Sequence, residues 1–114
     1  MLIKVTSSDF TSNLNIKKAS KSGALLVVKQ DWCGFCRRLT PTLSSVSKKL
    51  GSAYPIMTLD GDENPDMISK LGVEGFPTLF FIDRSGNIKK KYDGGRSEEE
   101  LISAICSESL VCRK

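Results

Sequence analysis

The feature that most constrains this chain is a pair of cysteines, Cys33 and Cys36, placed directly after an apolar run. Residues 24–28 read Ala-Leu-Leu-Val-Val, a short aliphatic run that is typical of a buried parallel strand. The segment that begins with Arg37 and Arg38 predicts the opening of a helix. The order strand, turn, helix therefore places Cys33 at a helix N-terminus.

That position predicts a reactive thiol. Unpaired backbone N–H groups and the positive end of the helix dipole favour a thiolate at Cys33, and Arg37 and Arg38 add positive charge nearby. Cys36 lies three residues further on, on the same helical face, where it can attack a mixed disulfide formed on Cys33. We therefore predict a redox-active pair in which Cys33 is the nucleophile and Cys36 resolves the mixed disulfide.

The Cys-x-x-Cys spacing also occurs in zinc ribbons and haem attachment sites. A zinc ribbon needs a second such pair, but the other cysteines, Cys106 and Cys112, have the wrong spacing. The chain contains no histidine, which excludes a Cys₂His₂ zinc site, a Cys-x-x-Cys-His haem site and a histidine-dependent protease. We therefore predict neither a metal nor another cofactor.

Further motifs follow the cysteine pair in a fixed order. They are Pro41, five residues after Cys36, the run Asp62-Glu63-Asn64-Pro65, the loop Gly75-Phe76-Pro77-Thr78, and Gly94-Gly95. Together with Trp32-Cys33-Gly34-Phe35-Cys36, they make nearly the whole chain similar to the thioredoxin family. The resemblance implies an α/β fold, a three-layer sandwich with a central mixed β-sheet flanked by helices.

The resemblance also implies a set of site residues. Cys33 and Cys36 would be catalytic, and the bond between Phe76 and Pro77 would be cis, an isomer that costs only about 0.5 to 1 kcal/mol before proline. The backbone of Phe76 would then pair with an extended substrate strand through main-chain hydrogen bonds. The predicted substrate-binding residues are Trp32, Gly34, Phe35, Phe76 and Pro77.

Local patterns predict the same order of elements. The predicted strands are residues 2–5, 24–28, 54–59, 78–82 and 88–92, and the predicted helices are residues 33–50, 65–71 and one opened by a capping box at Ser97. A further helix is predicted after Ser8, carrying Phe10, Leu14 and Lys17 or Lys18. With 114 residues, 39% of them apolar, we expect one thioredoxin-like domain over residues 1–114.

One position departs from the family pattern. Six residues before Cys33, where thioredoxins and disulfide isomerases commonly bury an acid, this chain has Val27. Met57 and Thr58 occupy the region of the lysine that often accompanies that acid. A valine cannot accept a proton, so Cys36 would lose its proton to water or to another side chain such as Asp31.

Cys106 and Cys112 are not expected to form a disulfide if the last helix continues through both. Six residues of α-helix give a rise of ~9 Å and a rotation of about 240°, beyond what a disulfide tolerates. The interpretation is a small apolar helix residue at Cys106 and a tail thiol at Cys112. The alternative is a regulatory or intermolecular disulfide, which would require the end of the helix to fray.

These observations predict a protein-disulfide oxidoreductase, with reduction as the expected direction. Its partners would be protein disulfides and a separate reductase or small thiol as electron donor. The alternatives are a binding or structural module that kept the fold, and an isomerase or oxidase of a secretory compartment. No phosphate-binding loop or basic aromatic stripe predicts a nucleic-acid partner, and no apolar run predicts a membrane span or signal peptide. We expect a cytoplasmic monomer.

Overall fold

The computed structural model describes residues 2–16 and 22–112. Within these residues, five strands and three α-helices follow one another. In order they are β1 (Leu2–Val5), β2 (Ala24–Lys29), α1 (Gly34–Leu50), β3 (Ile56–Asp60), α2 (Pro65–Leu71), β4 (Thr78–Ile82), β5 (Ile88–Tyr92) and α3 (Glu98–Glu108).

The five strands form one mixed sheet in the order β1-β3-β2-β4-β5. β1 and β2 both run parallel to β3, whereas β4 is antiparallel to β2 and to β5. Every residue of β3 and β4 is buried, because the central strands of a sheet that is covered on both faces are shielded from water. The predicted α/β sandwich with a mixed sheet is confirmed.

Two apolar clusters fill the space between the layers. On one face, side chains of the sheet such as Leu26 and Met57 pack with Met67 of α2. On the other face, Leu25 and Val27 pack against α1 and α3. The alternation of residues 25–28 between the two clusters is the period of two that a strand imposes.

α1 connects the sheet to the cysteine pair. Leu39, Leu43 and Val46 recur at helical spacing and are buried against the sheet. The helix continues through Pro41, which lies on its exposed side, and ends at Gly51, whose φ of 64° is easily reached only by glycine. α1 is therefore held rigidly while its N-terminus faces the end of β2.

The prediction of a helix after Ser8 is wrong. A single 3-10 turn, Ser7–Asp9, stands there, stabilised by a hydrogen bond of 2.8 Å from the Thr6 N–H to the Asp9 carboxylate. The chain then reverses at Leu14, where φ is 62°, and Phe10 pairs with Ile16 as an isolated bridge. Lys17 and Lys18, also assigned to that helix, lie outside the described residues.

The interpretation of Cys106 and Cys112 is also wrong, because the two form a disulfide with a Cα–Cα distance of 5.3 Å. A helix that continued through both residues would keep the two cysteines too far apart. α3 instead ends at Glu108, Ser109 is extended with ψ at 155°, and a 3-10 turn, Leu110–Cys112, brings the second cysteine back to the first.

Candidate active site at the start of α1

Cys33 is the N-cap residue of α1. Its own N–H donates to the carbonyl of Gln30 at 3.1 Å, which closes the turn after β2. Its Sγ accepts the backbone N–H of Cys36 at 3.2 Å, in the position where a serine or aspartate oxygen often caps a helix. The sulfur therefore takes the place of a capping acceptor, which favours a negative charge on it.

The two thiols differ in pKa. A hydrogen bond from the thiol of Cys36 is the main cause that lowers the pKa of Cys33, and the backbone N–H groups of Cys36 and Phe35 and the charge of Arg38 act in the same direction. Burial raises the pKa of Cys36 to about 11, and its hydrogen bond to the Cys33 sulfur adds to that shift. Of the two thiols, Cys33 is therefore the one that ionises more readily, while Cys36 keeps its proton at neutral pH.

The loop before β4 faces the same sulfur. The Phe76–Pro77 peptide bond is cis, as the resemblance implies, and the Cys33 sulfur lies 3.7 Å from the Phe76 carbonyl oxygen, which accepts a hydrogen bond from Cys33 when that thiol is protonated. Thr78 fixes the loop from the other side, because its hydroxyl donates to the Gly75 carbonyl at 2.5 Å. The backbone of Phe76 thus lies at the mouth of the site.

A groove of about 350 Å³ opens beside the cysteines. Its lining is Phe35, Arg38, Leu39, Thr42, Phe76, Pro77 and Arg96. Three of the predicted substrate-binding residues, Phe35, Phe76 and Pro77, therefore come together in one surface. Phe35 is 68% exposed, and its ring contacts the Arg38 guanidinium, whose carbon lies 4.7 Å from the ring centre, so much of its apolar surface remains open to solvent.

The other two predicted substrate-binding residues are placed differently. Trp32 is 67% exposed but does not line the groove. Gly34 is exposed at the first position of α1, and a Cβ placed there would meet no atom within 4 Å. Packing of the described residues therefore gives no reason for a glycine at this position.

Neither Val27 nor Asp31 offers Cys36 a proton acceptor. Val27, on the face of the sheet covered by α1, is 1% exposed. Asp31, suggested as a substitute base, points into solvent with its side chain 81% exposed and bonds to Lys29 Nζ at 2.9 Å. The structure therefore does not place the Asp31 carboxylate beside the buried thiol.

Sequence reasoning missed Arg96 as part of this surface. Arg96 is distant from the cysteines in sequence and reaches the groove because the chain after β5 returns beside α1. The Gly94-Gly95 turn was noted only for its family resemblance, and no local pattern connects the following arginine with the groove. Arg38 was considered for its charge but not as a wall of a groove.

Among the described residues, no group of three or more His, Cys, Asp or Glu side chains is arranged to hold a metal ion. A search of the same residues for a helix long and apolar enough to cross a membrane found none.

Comparison with known proteins gives a consistent result. The thioredoxin family model matches residues 1–107. Protein disulfide-isomerase A3 of Gallus gallus is 33% identical over 105 residues, 91% of this chain and 20% of the relative. Protein disulfide isomerase-like 2-2 of Oryza sativa subsp. japonica is 36% identical over 76 residues, 65% of this chain and 20% of the relative. The chain thus spans about a fifth of the length of these relatives.

Two solved structures share the fold. Human ERp44 in its zinc-bound form superimposes with a TM-score of 0.79 at 22% identity. The aligned region covers 94% of this chain and 31% of the ERp44 chain. The J-Trx1 fragment of ERdj5 superimposes with a TM-score of 0.78 at 24% identity. The aligned region covers 93% of this chain and 50% of the ERdj5 fragment.

Proposed function

Because this chain belongs to the thioredoxin family, we propose that it is a thiol-disulfide oxidoreductase that acts on protein disulfides through Cys33 and Cys36. One observation carries the proposal. The Cys33 sulfur accepts the N–H of Cys36 at 3.2 Å at the start of a helix and lies next to the Phe76 carbonyl. A sulfur so placed is favoured as a thiolate and is adjacent to backbone that a client can pair with.

In the reductive direction the reaction has two exchanges. The Cys33 thiolate attacks one sulfur of the client disulfide, the client S–S bond breaks, and the released client thiolate takes a proton from solvent. Cys36 then loses its proton and attacks Cys33 in the mixed disulfide, which releases the second client thiolate and leaves a Cys33–Cys36 disulfide. The client gains two electrons and the chain loses two.

A second partner must return those electrons. We propose a separate reductase or a small thiol, since the sequence contains no nicotinamide or flavin motif. Trp32, Gly34, Phe35, Phe76 and Pro77 are the proposed client-binding residues. The exposure of Trp32 and Phe35 and the common groove of Phe35, Phe76 and Pro77 support this assignment. We further propose that residues 1–114 act as one thioredoxin-like domain and as a monomer.

A second candidate is an isomerase or oxidase in an oxidising compartment. Two observations favour it over a cytoplasmic reductase. Structural disulfides such as Cys106–Cys112 persist mainly in oxidising compartments, and the relatives are named protein disulfide isomerases. The cytoplasmic location expected from the sequence therefore has no support from the comparisons.

Two measurements test these proposals. Reduction of insulin disulfides in the presence of dithiothreitol, followed as turbidity, should be accelerated by the wild-type chain and not by Cys33→Ser. Equal turbidity rates with and without the chain would instead indicate a binding or structural module. The reduction potential of the Cys33/Cys36 pair separates the directions, because ~−270 mV is the value of thioredoxin and ~−180 mV that of the disulfide isomerase.

A further inference from the structure

The groove beside Cys33 is cationic as well as apolar. Its apolar walls are Phe35, Leu39, Phe76 and Pro77, and its charged residues are Arg38 and Arg96. No aspartate or glutamate lines it. The ion pairs found among the described residues all have a lysine as the cation. Neither guanidinium group therefore has a carboxylate within 4.0 Å in this part of the chain.

Both arginines lie over aromatic rings. The Arg38 guanidinium carbon lies 4.7 Å from the centre of the Phe35 ring, and that of Arg96 lies 5.6 Å from the centre of the Tyr92 ring. Tyr92 is itself fixed, since its hydroxyl donates to the Gly95 carbonyl at 2.5 Å. Both guanidinium groups therefore lie at the groove without a carboxylate partner among the described residues, where their N–H groups can bind a client carboxylate.

We propose that this groove selects clients whose disulfide cysteine has an acidic side chain within a few residues, next to an apolar residue that packs on Phe35 and Phe76. The inference rests on the proposed function and adds a substrate class to it. A client strand paired with the Phe76 backbone advances about 3.3 Å per residue and alternates its side chains. Its neighbouring side chains therefore enter a groove that begins at Pro77.

The test uses three peptides that differ at one position. Each carries one cysteine as a mixed disulfide with a small neutral thiol, a neighbouring leucine, and glutamate, glutamine or lysine two residues away. The rate constant of Cys33 with each peptide is divided by the rate constant of free dithiothreitol with the same peptide. This ratio removes the intrinsic reactivity of the peptide disulfide.

We expect the corrected rate to fall in the order glutamate, glutamine, lysine, with about a tenfold span at low salt that shrinks at high salt, as for exposed ion pairs. Arg38→Gln and Arg96→Gln should each reduce the glutamate-to-lysine ratio about two- to threefold, and the double variant should bring it close to one. Arg84→Gln, in the turn between β4 and β5, is the matched control with the same change in net charge and should preserve the ratio.

The outcomes are distinguishable. Equal corrected rates for the glutamate and lysine peptides overturn the inference while leaving the proposed function in place. A loss of preference in Arg84→Gln equal to that in Arg96→Gln also overturns it, because the preference would then come from net charge and not from the groove. Failure to react with all three peptides overturns the proposed function itself.

Discussion

Val27 of β2 lies directly opposite Thr58 of β3, and both side chains are buried, with exposures of 1% and 7%. They lie on the face of the sheet that α1 covers, and the first turn of α1 carries Cys36. The family resemblance places an acid at the position of Val27 and a lysine in the region of Met57 and Thr58, and none of these three residues of this chain carries a charge. Cys36, with a pKa of about 11, therefore has no carboxylate from either position to accept its proton.

Replacing Val27 with aspartate should accelerate the decay of a mixed disulfide on Cys33. A positioned general base contributes roughly 10²- to 10⁴-fold, and we expect at least about tenfold in this apolar setting. Decay can be timed by mass spectrometry after the wild-type and variant chains react with the same client.

Val27→Asn is the matched control for that experiment, because asparagine has nearly the same shape as aspartate but no carboxylate. It should leave the decay rate close to that of the wild type. Unchanged or slower decay in a folded Val27→Asp variant would show that proton removal from Cys36 does not limit resolution.

The pH dependence of the same decay gives a second prediction. The fraction of Cys36 thiolate rises about tenfold per pH unit as long as the pH is below the thiol pKa. Because burial raises the Cys36 pKa to about 11, wild-type decay should rise steadily from about pH 7 to about pH 9 without a plateau. A plateau near neutral pH would indicate a Cys36 pKa well below that value.

The Cys106–Cys112 disulfide should stabilise the fold. It closes a loop with a sequence separation of six residues, for which the chain-entropy relation gives about 2 kcal/mol. The Cys106→Ser/Cys112→Ser variant should lose about that free energy of unfolding in urea. Cys33→Ser/Cys36→Ser, measured in the same way, is the control for the loss of two sulfur atoms. An unchanged free energy of unfolding in Cys106→Ser/Cys112→Ser would contradict a formed disulfide.

Gly34 offers a test that separates folding from client binding. A Cβ there meets no atom within 4 Å, and alanine is a better helix former than glycine. Gly34→Ala should therefore unfold at the same or slightly higher urea concentration. If Gly34 contacts clients as proposed, the rate of insulin reduction by Gly34→Ala should fall while its reaction with a small neutral disulfide is retained. Equal losses in the two reactions would instead mean that the substitution lowers the reactivity of Cys33 itself.

The elements that the sequence predicted correctly carry short-range signals. The run at residues 24–28 and the capping box at Ser97 depend on neighbours within a few residues, and β2 and α3 form where these signals stand. The hairpin of β4 and β5 has a signal of the same range, because the turn residues from Asp83 to Gly86 follow the apolar run of residues 78–82.

The failures have physical causes of longer range. Phe10 and Leu14 have the spacing of a helix face, but the chain reverses at Leu14 and Ile16 donates its N–H to the Gly86 carbonyl at 2.8 Å. Tertiary pairing thus overrides a local pattern. The disulfide was missed because the end of α3 was placed too far along the chain, and Arg96 was missed because only the folded chain brings it to α1.

The central claim is that Cys33, although only 8% exposed, ionises at lower pH than Cys36 and is the thiol that reacts first. Alkylation by iodoacetamide, mapped to each cysteine by peptide mass spectrometry across a pH series, tests it directly. Cys33 should react first, with a rate profile centred below the pKa of an ordinary thiol, and Cys36 should react only at much higher pH. Equal rates at the two cysteines, or faster reaction of Cys36 at neutral pH, would contradict the account.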